Sequence, residues 1–247
     1  MSTAEVMTVA LVASALFGGN QEKSRLFLKA DGYIKKMLSK GQLNRRLHQI
    51  PEALWQAFFA VLAQVHQQAN TEQLYTVDSM PVPVCDNIRI RRSRLYPRQQ
   101  HGEAFRGYVA SKKRYFYGLR VHLVMTASGL PVEVMLAPGS EADISAFRRL
   151  ALDLPASSTI LADKGYVDHQ EAALLDDAGL RLLALQRRNS KEPWPAWLTY
   201  IVQRKRKQIE TVFSQIAASF GRTIHAVTAK GFELKVFLAV LAYTITA

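Results

Sequence analysis

Three acidic residues stand where a metal ion could be held. Asp78 closes the short apolar run "QLYTVD" and is followed within a few residues by the arginines of "NIRIRR". Asp163 closes a second run, "STILAD", and Glu210 sits in the helical pattern "RKRKQIETVFSQIAASF". Two strands ending at the same level of one sheet can bring their aspartates within a few ångströms. Such a pair repels, so it is stable mainly when a cation neutralises it. Mg²⁺ suits the task, because it takes one or two carboxylates and fills its other positions with water and substrate oxygens. Glu210 lies about 100° around its helix from Ile209, at the border of the stripe Ile209, Val212, Phe213, Ile216 and Phe220. Arg206 precedes it by one turn on the same side, where it could contact a phosphate or orient the glutamate. Each residue alone has a plainer reading: Asp78 as a turn former before Pro81, Asp163 as a turn at Lys164-Gly165, Glu210 as a solvated helix residue. Their joint occurrence among basic segments makes them a candidate site.

Those basic segments are localised. Residues 86–120 hold ten Lys/Arg against two acids, and residues 187–207 hold seven against one. Together they exceed the formal net charge of the whole chain, +12, so the remainder is close to neutral. Clustered positive charge points to a polyanion, nucleic acid before membrane, since neither segment has the amphipathic pattern of an interfacial anchor. Other chemistries lack their residues. The sequence holds no phosphate-binding glycine-rich loop ending in Lys-Ser/Thr and no Gly-x-Ser-x-Gly elbow. The lone Cys85 rules out an internal disulfide and fits a reducing compartment, and the scattered histidines form no zinc pattern. The N-terminus carries Ser2 and Glu5 at capping-box spacing instead of a basic leader, and the apolar C-terminus is too short to span a bilayer. The expectation is a soluble cytoplasmic protein.

The elements that must position the carboxylates follow from periodicity. Residues 3–70 read as three or four short helices, with breaks at Gly18-Gly19 and Lys40-Gly41. After residue 72 the pattern turns to strands. "KRYFYGLRVHLVMTASGLPVEVMLAP" reads as a hairpin around Ser128-Gly129, "DISAFRRLALDL" as a helix, and "DHQEAALLDDAG" as a helix closed by Gly179. "LRLLALQRR" is a further strand, followed by a helix from about 198 to 220 and a last one over 230–245. Strands in hairpin order and then strand–helix alternation predict a mixed α/β sheet covered by helices, an α+β arrangement. His122 and Arg120 fall on the face of their strand opposite Leu119, Val121 and Leu123, where they could approach the site.

The segments "VDSMPVPVCDNIRIRR", "RGYVASKKRYFYGLRVHL", "LADKGY", "RKQIETVFSQI" and "IHAVTAKGFELKV" resemble, in this order, bacterial insertion-sequence transposases of family 982, part of the DDE group. The likeness runs from about residue 70 to the end and more weakly through the N-terminal helices, which are shorter than is usual. It implies an RNase H-like catalytic domain over 71–247 and a helical N-terminal domain over 1–70 that binds DNA or is accessory. It also implies an acidic triad, Asp78, Asp163 and Glu210, holding two Mg²⁺ ions, or Mn²⁺ in their place. Of the Tyr–Arg–Glu–Lys signature of related enzymes, Arg206 is present, whereas Gln203 and Ala217 replace the tyrosine and the lysine.

The function expected is metal-dependent cleavage at the element's ends and strand transfer into target DNA. The partners are double-stranded DNA, as terminal inverted repeats and as target, and a homo-oligomer to synapse two ends; no membrane is involved. The candidate DNA contacts are Arg89, Arg91, Arg92, Arg94, Lys112, Lys113, Arg114, Arg120, Arg204, Arg206 and Lys207. Two alternatives share the residues: a truncated relict that binds DNA without transposing, and a nuclease of the same fold that cuts without joining.

Overall fold

The structure is a computed structural model, and it describes residues 1–85, 90, 92–186, 190, 193–220 and 223–247, with Ser111 described by its backbone only. Two of the expected DNA contacts, Arg89 and Arg91, lie outside the described residues. The chain forms two compact units, residues 1–62 with 214–247, and residues 63–213.

The first unit is helical. It contains α1 (Thr3–Leu16), α2 (Gln21–Ala30), α3 (Lys40–Gln49), the first part of α4 (Glu52–Ala69), and α9 (Ala229–Thr246). Ser2 and Glu5 form the expected capping box, each satisfying the other's backbone N–H. Lys40-Gly41, expected as a break, instead opens α3: Ser39 and Gln42 form a second capping box there, and the break lies over the preceding residues. Val6, Val9, Ala10 and Ala13 of α1 are buried, as are Val236, Leu238, Val240 and Leu241 of α9, and the two helices pack together. Sequence reasoning placed 214–247 with the catalytic residues; by compactness these residues group with the N-terminal helices.

The second unit is built on a mixed sheet. Its strands are β1 (Leu74–Cys85), β2 (Arg106–Val109), β3 (Arg114–Thr126), β4 (Pro131–Pro138), β5 (Thr159–Ala162) and β6 (Arg181–Ala184). The order is β2–β3–β1–β5–β6, with β4 also on β3. β3 is antiparallel to β1, β2 and β4, whereas β1–β5 and β5–β6 are parallel. A hairpin-rich half beside β1 and a parallel half beyond it is the RNase H-like arrangement that the resemblance implied. The tight connection at Ser128-Gly129, with Gly129 at φ +89°, closes the predicted β3–β4 hairpin. The helices of this unit are α5 (Arg98–His101), α6 (Asp143–Phe147), α7 (His169–Asp177) and most of α8 (Ala196–Ser219). "DISAFRRLALDL" is helical only over α6, and the left-handed backbone of Leu152 (φ +47°) fits no longer helix. Among the described residues no single helix is long and apolar enough to cross a membrane.

Asp78 was expected at a strand end. It lies instead within the 12-residue β1, opposite Leu123 of β3. What ends beside it is the parallel ladder to β5, whose last pair involving β1 is Thr76 with Leu161. Beyond that pair no strand among the described residues pairs with that edge of β1, which lets Pro81 and Pro83 follow without costing a ladder on that side.

Candidate active site

Register brings the two aspartates together. Leu161 pairs with Thr76, so Asp163, two residues on, stands level with Asp78 on the neighbouring strand. One side chain joins them. Arg206 of α8 donates from Nη2 to Asp78 Oδ2 at 2.8 Å and from Nη1 to Asp163 Oδ1 at 3.4 Å. The Arg206 side chain is 14% exposed, and its buried Nε has no hydrogen-bond partner among the described residues. Asp78 also accepts a hydrogen bond from the backbone N–H of Ser79 at 2.8 Å. Burial raises the Asp78 carboxyl above the ordinary range; Arg206 and the Ser79 N–H pull the other way without cancelling it.

α8 delivers Arg206 because its apolar stripe, Val202, Ile209 and Val212, is buried while the flanking positions are not. Glu210 is on the same helix, one turn beyond Arg206, and is exposed. Among the described residues no three His, Cys, Asp or Glu side chains gather closely enough to hold a metal ion. The structure therefore joins Asp78 and Asp163 through a shared cation and leaves Glu210 a helical turn from that cation. Two carboxylates that share one part-buried positive charge have the donor chemistry for a hard divalent cation.

The other side of β1 carries a second polar cluster. Successive strand residues face opposite sides, so Ser79, with its cross-strand partner His122 and the nearby Arg120, points away from the face of Asp78. Ser79 Oγ donates to Asp143 Oδ1 of α6 at 2.7 Å, and Arg120 Nη1 lies 3.2 Å from Ser79 Oγ and 3.6 Å from Asp143 Oδ1. Asp143 also adjoins Gly165, two residues past Asp163: a Cβ there would stand 3.2 Å from Asp143 Oδ2. Asp143 thus touches the residue after one aspartate and the turn after the other. Sequence reasoning missed it, reading it as the start of a helix. The available signal was an acid just beyond β4, a strand that runs parallel to β1 through their common antiparallel neighbour.

His122 is fully buried, and neither ring nitrogen has a hydrogen-bond partner among the described residues. Burial pulls its pKa down to about 4; Asp143 opposes that shift, and Arg120 and Arg149 reinforce it. His122 and Arg120 therefore stand behind the aspartates, across the sheet. Tyr166, which closes the turn after Asp163, is also fully buried and packs edge-on against Phe147 of α6.

The remaining expected DNA contacts fall into three groups. Arg92 and Arg94 are exposed between β1 and α5, Lys112, Lys113 and Arg114 at the start of β3, and Arg204 and Lys207 on α8. Arg120 is committed elsewhere, to Ser79, Asp143 and the carbonyl of Tyr108.

Comparison with known proteins decides the family. The model described as "Transposase DDE domain" matches residues 68–225. The chain belongs to that family. The match covers β1, β5 and α8, and with them all three carboxylates. Members are enzymes of DNA cleavage and transfer that use divalent metal ions. No curated protein matches the sequence. Among solved structures, the "Mos1 transposase paired-end complex with left transposon end" is 12% identical over 91% of this chain and 80% of that one, with a TM-score of 0.27. A superposition that loose carries no inference about the site.

Proposed function

We propose that this DDE transposase domain cuts DNA at the ends of an insertion sequence of family 982 and joins the freed ends to a target, with Asp78, Asp163 and Glu210 as its catalytic carboxylates. The observation that carries the reading is the pair of aspartates on adjacent strands converging on one cation, with Glu210 a turn further along the helix that supplies it. Asp78 and Asp163 would be the first metal ligands and Glu210 the third. Two Mg²⁺ ions held there, or Mn²⁺, would activate the attacking oxygen and stabilise the leaving one.

The chain's own residues supply the rest. The exposed cations before β3 and on α8 would hold the phosphate backbone, without themselves reading sequence. Ser79 fixes one oxygen of Asp78 through its backbone N–H, which leaves the other oxygen to face α8. The buried apolar stripe of α8 anchors the helix that carries Arg206 and Glu210. Synapsis of two ends would require at least two copies of the chain.

The test is cleavage and joining of labelled DNA carrying the element's terminal repeats, in Mg²⁺. Asp78→Asn, Asp163→Asn and Glu210→Gln should each remove cutting and joining together while duplex binding persists. Activity surviving in any of the three would remove that residue from the site. Cutting without joining in the wild type would favour the nuclease reading, and binding without cutting the relict.

A further inference from the structure

Arg206 is an odd group to find in a metal site. A cation-binding pair of carboxylates already holds a cation belonging to the protein, through both terminal nitrogens of one guanidinium. The ion pair is partly withdrawn from water, with side-chain exposures of 14% for Arg206 and 19% for Asp78, so it is screened less than a surface pair. It is also imperfect: Nε is buried without a partner among the described residues, and a buried donor left unsatisfied is costly. A group held by one firm contact to Asp78, a long one to Asp163 and one orphaned donor has reason to leave when a better ligand for the carboxylates arrives.

We infer that Arg206 is the exchangeable counter-ion of the metal site: it neutralises Asp78 and Asp163 when no divalent cation is bound, and yields them when one binds. The inference rests on the proposed function, since it takes the two aspartates as metal ligands. A guanidinium and a divalent ion cannot both sit between the same two oxygens, because their charges repel at contact distance. Once displaced, the side chain carries an unpaired charge one turn from Glu210, on a helix whose neighbouring Arg204 and Lys207 are exposed. A DNA phosphate is then its natural partner, since guanidinium pairs with phosphate as readily as with carboxylate.

Coupling follows from this exchange. If one arginine serves carboxylates or phosphate but not both, metal and DNA each favour the state that admits the other. By linkage, duplex DNA should raise metal affinity by the factor by which metal raises DNA affinity, typically 5- to 150-fold for such coupling, an order-of-magnitude expectation. The device discourages metal loading on a free enzyme and favours it on a bound one.

The experiment is titration calorimetry with Mn²⁺, on the whole chain, with and without a short duplex lacking the element's ends. Four proteins are compared: wild type, Arg206→Gln, Arg206→Lys and Asp78→Asn. Arg206→Gln should bind Mn²⁺ about tenfold tighter than wild type without DNA, an order-of-magnitude figure set by removing one competing charge. It should also lose the enhancement by duplex and melt at a lower temperature in chelator. Arg206→Lys, which keeps the charge but not the fork, should fall between and serves if the glutamine variant does not fold. Unchanged or weaker Mn²⁺ binding in both arginine variants, with Asp78→Asn unable to bind, would overturn the exchange and leave the metal site standing. Equal Mn²⁺ binding by wild type and Asp78→Asn, or none in either, would overturn the metal site itself and the exchange with it.

Discussion

Replacing Asp143 by alanine tests whether the cluster behind β1 positions the proposed catalytic aspartates. The substitution removes the acceptor of a 2.7 Å hydrogen bond from Ser79 and the carboxylate facing Arg120 at 3.6 Å. Hydrogen bonds to a charged group contribute roughly 1.5–3 kcal/mol. Arg120 is only 17% exposed, so stripping its partner adds a penalty, tempered by its remaining contacts to Ser79 and the Tyr108 carbonyl. A loss of about 2–4 kcal/mol in unfolding free energy is expected on those magnitudes. Ser79 and the Lys164–Tyr166 turn would then lose a common anchor, and a displacement of about 1 Å at a reacting group can cost on the order of 100-fold in rate. Chemical denaturation gives the first quantity, and single-turnover cleavage at a temperature where the variant is fully folded gives the second. Asp143→Asn, which keeps one oxygen for Ser79, should recover much of the stability. If Asp143→Ala unfolds within 0.5 kcal/mol of wild type, a margin typical of surface substitutions on an order-of-magnitude scale, the cluster does not brace the sheet. If it loses stability but cuts at the wild-type rate while folded, Asp143 is structural and positions nothing.

Two further outcomes follow from the same geometry. His122 titrates near 4 in the fold against about 6.5 in an unfolded chain, so between those values the unfolded state binds more protons. Its contribution is present above pH 6.5 and is lost as pH falls toward 4, at up to about 1.4 kcal/mol per pH unit. Denaturation of wild type and His122→Leu across that window should give a shallower slope for the variant, and equal slopes would refute the assignment. At the exposed start of β3, Lys112→Ala, Lys113→Ala and Arg114→Ala should each weaken duplex binding about equally for all sequences. Each should also lower the slope of log affinity against log salt by about 0.9, and an unchanged slope would remove that residue from the DNA surface.

The sequence is informative where the signal is local. The β3–β4 hairpin, the Ser2–Glu5 capping box and the Ile209, Val212 and Ile216 part of the α8 stripe all arise within a few residues, and all are present as read. Position along a strand is less legible. "SMPVPVC" breaks the alternation that marks a strand, so Asp78 looked terminal. The two prolines are tolerated because β5 stops pairing at Thr76, and that depends on a partner more than 80 residues away.

The same limit explains the charges. Residue type announces that Arg120, Arg206 and Asp143 are ionised, but their partners are set by register between distant segments. Arg120 looked like a DNA contact and is paired to Asp143; Arg206 looked like a phosphate or glutamate ligand and is paired to both aspartates. The family match covers all of these residues without distinguishing their roles. What distinguishes them is which face of β1 each one meets. On the Asp78 face the proposed exchange replaces one cation between two carboxylates by another that carries more charge. On the Ser79 face the Arg120–Asp143 pair is balanced within itself and braces β1 from behind. In the proposed exchange the cation that leaves the first face is replaced, whereas on the second its loss would leave a half-buried carboxylate with nothing to take its place.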